Sequence, residues 1–314
     1  MRTNLMILPF INPTARRWAI ALSLALGLIL AWSFQAQAIG ACASPTQTFD
    51  LWAKPGTFTL PDSTTVDVWG YSLAEGDPAQ VPGPVLTVTQ NTCVQVILHN
   101  GLAEATSLAL HGQGLAADTA GAAPSGSKSY TFLADRPGTF LYEAGLTANG
   151  ARQVAMGLYG ALIVQPAAAP TTYTSEAVLV LHEIDPDLNA APDTFNMGEY
   201  HPRFWLINGQ AYPNIPAVPM AGGSTALLRY VNAGLDENSM GLLGVDQQVI
   251  KADGYPLPSP YRVTAETIPP GGTLDTLVSV PAGTAQYALY SAAQHLDNNG
   301  AAYGGQLMFI TVSP

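Results

Sequence analysis

Side chains that could hold a metal ion are few and scattered along this sequence. The chain has 314 residues and contains five histidines and two cysteines. His295, in QHLDNNG, lies two residues before Asp297, and such a pair could contribute to a metal site. The segment HEIDPDLN offers the oxygen ligands that calcium prefers, but it lacks the glycine and terminal glutamate of an EF-hand loop. For both segments an ordinary polar loop is the preferred interpretation.

Motifs of the common enzyme classes are absent from the sequence. It has no G-x-S-x-G nucleophile elbow, no P-loop and no glycine fingerprint for a dinucleotide. The net charge is −11 and lysine is almost absent, so a nucleic-acid partner is not expected. Hydrophobic residues make up 48% of the chain, which is enough for a packed core and argues against disorder.

The elements that must position these residues are β-strands. Short runs rich in Val, Ile, Leu, Thr and Tyr are separated by Gly, Pro, Asn and Asp, a pattern typical of β-sandwiches and barrels. Sustained helical periodicity is found only within the N-terminal residues 1–38. The Pro- and Ala-rich stretch QPAAAPTTYTSE separates two strand-rich blocks that end similarly, in GLYGALIVQP and YGGQLMFITVSP. We therefore expect an all-β protein with a domain over 39–166, a linker over 167–175 and a second domain over 176–314.

Residues 1–38 have the features of a cleaved signal peptide. Arg16 and Arg17 precede an apolar run over 18–32, and the small residues AQA follow at 36–38. A run of about 15 residues is shorter than the roughly 20 that span a membrane, so cleavage after Ala38 is preferred to a retained anchor. We expect an exported protein, periplasmic, cell-surface or extracellular, whose mature chain has no transmembrane segment.

The two cysteines are predicted to form a disulfide. In TCVQVILHN, the residues Val94, Val96 and Leu98 alternate toward a core, which turns Cys93 to the other side of the strand. Export permits a bond from Cys93 to Cys42, and closing a loop of about 50 residues would stabilise the fold by roughly 4 kcal/mol. The alternative is that IGAC is a lipobox and Cys42 carries a lipid anchor. The disulfide is preferred.

Many segments, in the expected order, resemble the two-domain cupredoxin type of the multicopper oxidase (laccase-like) family. The resemblance implies two tandem cupredoxin-like Greek-key β-sandwich domains, and it covers nearly the whole mature chain. The segments that carry it in the first block are VPGPVLTVTQNTCVQVILHN, TSLALHGQGL, SKSYTFLADRPGTFLYEAG and GLYGALIVQP. Those in the second block are FWLINGQAYP, LLRYVNAG, VIKADGYPL and the C-terminal LYSAAQHLDNNGAAYGGQLMFITV.

The resemblance also locates the blue copper position of the family, which needs two histidines and a cysteine thiolate. Tyr290, Ser291 and Ala292 stand where the family has His-Cys-His, and no cysteine lies near them. Cys93 corresponds to a position that is not a ligand. A blue copper site of the family type is therefore not expected.

The three-copper site of the family is affected in the same way. Of the histidine positions in LALHG and YEAG, only His111 holds a histidine, while Ala109, Glu143 and Gly145 occupy the others. The family's cluster needs more histidines than the five in the chain, so no copper cofactor is expected from the ligand count. The resembled fold places His111 near Glu143, either as a hydrogen-bonded pair that fills the site or as the remnant of a metal site.

Two functions remain open at this point. The preferred one is an exported, multicopper-oxidase-like protein without the copper ligand sets, acting as a non-catalytic binding or structural protein of the cell envelope. The alternative is a copper-binding oxidoreductase or metal-binding protein that uses a reduced site at His111, Glu143 and His295, for which copper is possible. The resemblance further implies a homotrimer, while the ligand is not indicated.

Overall fold

The computed structural model of the chain describes residues 42–314. The predicted signal peptide, 1–38, lies outside the described residues. Within them the secondary structure is nearly all strand, and the expected all-β class is confirmed. No helix in this part of the chain is long and apolar enough to span a bilayer.

The first eight strands form a sandwich of two four-stranded sheets, ordered β2-β1-β4-β6 and β3-β8-β7-β5. The expected alternation holds in β4, where Val94, Val96 and Leu98 are completely buried. The strands are β1 (Gln47–Thr59), β2 (Thr65–Ser72), β3 (Leu86–Thr89), β4 (Thr92–Asn100), β5 (Leu108–Leu110), β6 (Ser127–Ala134), β7 (Gly138–Ala144) and β8 (Tyr159–Gln165).

The remaining strands form a six-stranded sheet, β10-β9-β12-β17-β14-β15, which lies with a five-stranded sheet, β11-β21-β18-β13-β16, and a small ribbon, β19-β20. The linker is predicted over 167–175; no strand lies between residues 166 and 174, and the next strand begins at Ser175. The strands are β9 (Ser175–Ile184), β10 (Phe204–Ile207), β11 (Val218–Ala221), β12 (Thr225–Asn232), β13 (Asn238–Leu242), β14 (Gln247–Ala252), β15 (Tyr255–Val263), β16 (Ala265–Ile268), β17 (Thr273–Ser279), β18 (Ala285–Ser291), β19 (Asp297–Asn298), β20 (Ala301–Ala302) and β21 (Leu307–Ser313).

Three short helical segments interrupt the strands, and the sequence pattern did not predict them. They are α1 (Gly150–Ala155), α2 (Pro186–Ala190) and a 3₁₀ turn (Met197–Glu199). Helix α2 begins at Asp185, whose side chain accepts a hydrogen bond from the N–H of Asp187, with Pro186 at the first helical position. Such helices are too short to display a period of 3.6 residues, so only the Asp-Pro start could have indicated this one.

A buried polar network joins the two sandwiches. The Thr139 hydroxyl donates to Asp275 at 2.5 Å and accepts from the Arg229 guanidinium at 3.2 Å. Arg229, of which 2% is exposed, also pairs with Glu176 at 2.8 Å. The Thr273 hydroxyl donates to the backbone carbonyl of Thr139 at 2.7 Å. Because these groups have partners on both sides, the network fixes β7 against β12 and β17.

Candidate functional site

The structure brings His111 and Glu143 together. Strand β5 pairs antiparallel with β7, which places Ala109 opposite Glu143, and the N–H of His111 donates to the carbonyl of Leu141 at 3.0 Å. This register brings the His111 ring alongside the carboxylate, with Nε2 of His111 2.9 Å from Oε1 of Glu143. The pair therefore makes a good hydrogen bond between two groups that are distant in sequence.

The pair is partly open to solvent and is electrostatically coupled. The His111 side chain is 39% exposed and that of Glu143 is 19% exposed. The hydrogen bond that His111 donates to Glu143 raises the pKa of His111 above its usual value, partial burial opposes this, and the charges of Glu143 and Asp253 add to the increase. The contact with Glu143 thus stabilises the imidazolium form relative to the neutral ring.

His111 lies between two neighbouring cavities. One, of about 230 Å³, is bounded by the loop after β5, by Gly145 and by Leu146. The other, of about 340 Å³, reaches the second sandwich at Asp253 and Tyr255. His111 is therefore the polar group common to both spaces, and such concave sites with few polar groups are the usual places for small ligands.

The loop that bounds the smaller cavity is held by one carboxylate. Asp118 accepts hydrogen bonds from the N–H of Gly121 at 3.0 Å, from the Lys128 ammonium at 2.7 Å and from the Tyr130 hydroxyl at 2.6 Å. Burial by itself would raise the pKa of Asp118, but these hydrogen bonds together hold it well below its usual value. The hydrogen bonds of Asp118 thus hold the loop that forms this cavity wall in one conformation.

Gly145, the other position in YEAG, has no room for a side chain. A Cβ atom there would collide with the hydroxyl of Ser107. Ser107 is buried, donates to the carbonyl of Asp118 at 2.8 Å and accepts at its own carbonyl from the N–H of Gly145 at 2.9 Å. A larger residue at 145 would require this contact to rearrange, so Gly145 is built into the local packing.

His295 does not join the His111–Glu143 pair. Its ring stacks on Trp205 of β10, with ring centroids 3.4 Å apart. Its Nδ1 atom is buried without a protein partner, and burial lowers the pKa of the ring below its usual value. Residues 42–314 contain no group of three or more His, Cys, Asp or Glu side chains arranged to hold a metal ion. Metal binding at His111, Glu143 or His295 stays a prediction.

The acidic segment HEIDPDLN is used in local structure. The Asp185 carboxylate accepts from the N–H groups of Asp187 and His201, at 3.0 and 2.8 Å. Asp187 pairs with Arg203 at 2.9 Å, and the Asn189 amide turns away to the carbonyl of residue 67. The Asp185 carboxylate therefore caps a helix, and the Asp187 carboxylate forms an exposed ion pair.

Sequence reasoning missed two adjacent buried groups in β9. His182 is completely buried and has partners at both ring nitrogens, with Nδ1 2.8 Å from the Tyr159 hydroxyl and Nε2 accepting from the N–H of Gly209 at 3.0 Å. Burial lowers its pKa to about 3, so the ring is neutral. Glu183 is 2% exposed, its Oε2 has no protein partner, and burial raises its pKa to about 7. The continuous apolar run EAVLVLHEI was the available signal, because a strand covered on both faces buries adjacent residues.

The predicted disulfide is confirmed. Cys42 and Cys93 are bonded, with their Cα atoms 5.8 Å apart. The covered Cys93 is 8% exposed, because the N-terminal segment lies over it and Thr46 donates its N–H to the Cys93 carbonyl at 2.8 Å. Since the sequence has two cysteines, neither supplies a free thiolate.

Comparison with known proteins gives matches along the chain. A family model described as multicopper oxidase matches residues 55–169. A probable nitrite reductase-hydroxylamine oxidoreductase fusion protein of Kuenenia stuttgartiensis is 32% identical over 146 residues, which are 42% of this chain and 17% of that protein. The multicopper oxidase MmcO of Mycobacterium tuberculosis is 24% identical over 270 residues, or 72% of this chain and 52% of that protein.

Among solved structures, the blue copper oxidase from Nitrosomonas europaea has a similar fold. It matches with a TM-score of 0.76 at 22% sequence identity, covering 85% of this chain and 86% of that one. This match supports the cupredoxin fold for both sandwiches. The chain spans about half, or less, of the length of the curated relatives it matches.

Proposed function

Because the chain is a multicopper-oxidase-like protein of the two-domain cupredoxin type, we propose that it is an exported protein that binds a small organic ligand at His111 and does not catalyse copper-dependent oxidation. The observation that carries the proposal is the contact of 2.9 Å between Nε2 of His111 and Oε1 of Glu143, at the junction of two cavities. One fold supports many functions, so this pair and its surroundings indicate the function more directly than the fold does.

The residues present do not fit the copper set of the family. A blue copper site requires a cysteine thiolate, and both cysteines of the chain are in the disulfide. At the position of the family's three-copper site, a copper-binding side chain in place of Gly145 would displace Ser107. Glu143 is hydrogen-bonded to His111 there. The donor set that copper-dependent oxygen reduction needs is therefore lacking at these positions.

The His111 pair is suited to binding an uncharged or weakly acidic ligand. Glu143 occupies Nε2, and within the described residues no protein group bonds to Nδ1 of His111. A protonated imidazole can donate a hydrogen bond from its second nitrogen. Around it, Leu110, Phe140 and Leu141 supply apolar contacts in one or the other cavity. A ligand with an apolar body and one acceptor atom matches this lining.

A ligand-observed NMR screen of small organic fragments tests the proposal. Fragments that bind the mature protein should weaken or stop binding in the His111→Ala variant. The matched control is His99→Ala, since His99 also pairs with a carboxylate, Asp50, at 2.8 Å, but lines neither cavity at His111. Fragments that bind both variants equally, or a complete lack of fragments that depend on His111, would contradict the proposal.

A second candidate is a metal-binding protein that uses the same pair. It is favoured by the partial exposure of His111 and Glu143 beside open space, where water or a further group could complete a shell for Zn or Cu. Zinc titration by calorimetry, with His111→Ala and His99→Ala compared, distinguishes the two functions. Heat of binding that is lost only in His111→Ala would establish this second function.

Cellular location and assembly are also proposed. The disulfide supports export, because such bonds persist in oxidising compartments. We propose a periplasmic, cell-surface or extracellular location with a role in the cell envelope. The homotrimer implied by the family resemblance stays a prediction, which light scattering of the purified mature chain checks directly.

A further inference from the structure

A third cavity lies between the two sandwiches and shares no lining residue with the cavities at His111. It has a volume of about 260 Å³. Its walls are mainly apolar and include Val164 of β8, Leu227 of β12 and Ile250 of β14. Three charged residues, Arg229, Lys251 and Asp275, also line it. A space of this size admits a short chain or a single ring, and its lining selects apolar molecules.

Lys251 differs from the other lysines of the chain, which has three. Lys54 donates to three backbone carbonyls, those of residues 74, 75 and 77. Lys128 forms an ion pair with Asp118 at 2.7 Å. Lys251 is half-buried and donates to one carbonyl, that of Pro137, at 2.7 Å. Of the three lysines, Lys251 thus has the least stabilisation of its ammonium form from hydrogen bonds and ion pairs.

Burial favours the neutral amine of Lys251, and the negative charge of Asp275 opposes it. The pKa of Lys251 is lowered below the usual value, and the positive charge of Arg229 adds to the decrease. Asp275 lies directly opposite Lys251 in the pairing of β14 with β17. Burial raises the pKa of Asp275, against the effect of Arg229. A carboxylate that gains a proton more easily is therefore next to an amine that loses one more easily.

We propose that Lys251 is the nucleophile of a covalent binding site for small apolar aldehydes and ketones. The neutral amine adds to the carbonyl carbon, and the carbonyl oxygen takes up a proton to give a carbinolamine. Loss of one water molecule then forms an imine between Nζ and the ligand carbon. Amine and carbonyl compound give imine and water, so the step needs no oxidant or reductant, and hydrolysis reverses it.

Reductive trapping with peptide mapping tests this site. The folded mature protein is incubated at pH 7 with benzaldehyde and sodium cyanoborohydride, and the adduct on each of the three lysine peptides is quantified by mass spectrometry. Lys251 is expected to carry at least about tenfold more adduct than Lys54 or Lys128, because a desolvated amine is the stronger nucleophile at neutral pH. The preference should disappear in urea.

Three variants complete the experiment. Lys251→Arg keeps the charge and a donor for the Pro137 carbonyl and should form no adduct at this position. Thr172→Trp, at an exposed residue of the cavity lining, should reduce labelling of Lys251 by blocking entry. Lys54→Arg should leave the labelling of Lys251 unchanged. Equal labelling of the three lysines in the folded protein, or Lys251 labelling that survives Thr172→Trp in full, would overturn the proposal.

Discussion

Removal of the Cys42–Cys93 disulfide should produce a large and calculable loss of stability. The bond joins residues 51 positions apart and covers the start of β4. In the chain-entropy model, a loop of this length restricts the unfolded chain enough to stabilise the folded state by about 4 kcal/mol at 25 °C. For a protein of this size, that corresponds to a drop in melting temperature of about 10 °C.

The assay is thermal and urea unfolding of the Cys42→Ser/Cys93→Ser double variant, followed by circular dichroism. Ser44→Ala is the matched control, because Ser44 is an exposed residue of the same N-terminal segment and should change little. Wild-type protein treated with a reductant should approach the double variant. A loss of less than about 1 kcal/mol in the double variant would refute the reasoning, because the loop would then be restricted in the unfolded chain by other means.

Three further predictions concern ionisable groups. Glu143→Gln should lower the pKa of His111, which NMR titration of the ring protons measures. In the wild type, the contribution of this pair to the free energy of unfolding is complete below the pKa of His111 in the unfolded chain. It is lost as the pH rises through the higher pKa of the folded state. The pKa of Glu183 is raised from 4.5 to about 7, so the free energy of unfolding should fall by roughly 3 kcal/mol as the pH rises through that interval. Urea titrations at pH 5 and pH 8 measure this difference. Glu183→Gln should remove this dependence of the unfolding free energy on pH. Asp118→Asn should lower the free energy of unfolding by roughly 2 kcal/mol at pH 7, because it weakens the contacts with Lys128 and Tyr130. The difference in unfolding free energy between variant and wild type should shrink at acidic pH, where the wild-type carboxylate is protonated.

The sequence predicted the fold because its strands carry strong local signals. Val94, Val96 and Leu98 alternate as a half-buried strand must, and they are the residues found in the core. Residues 166–174, the centre of the Pro- and Ala-rich stretch, form no strand. The proximity of His111 and Glu143 came from the family resemblance, since nothing local links two residues 32 positions apart.

What the sequence did not predict depends on packing between distant segments. Glu183 is buried because residues near 235 cover its carboxylate, and the N–H of Leu235 hydrogen-bonds to it. The reactive setting of Lys251 arises only when β14 meets the Pro137 carbonyl of the other sandwich. The exclusion of a side chain at Gly145 depends on where Ser107 lies across β5 and β7. Pattern and propensity carry no information on such contacts.

We expect this cupredoxin scaffold not to hold copper tightly. Elemental analysis of the mature chain, after loading with excess copper and extensive dialysis, tests this expectation most directly. We expect well below one copper ion per chain and no blue absorption band. Both cysteines form the disulfide, and position 145 has no room for a copper-binding side chain. One or more tightly held copper ions per chain, removed by His111→Ala and retained in His99→Ala, would contradict the account.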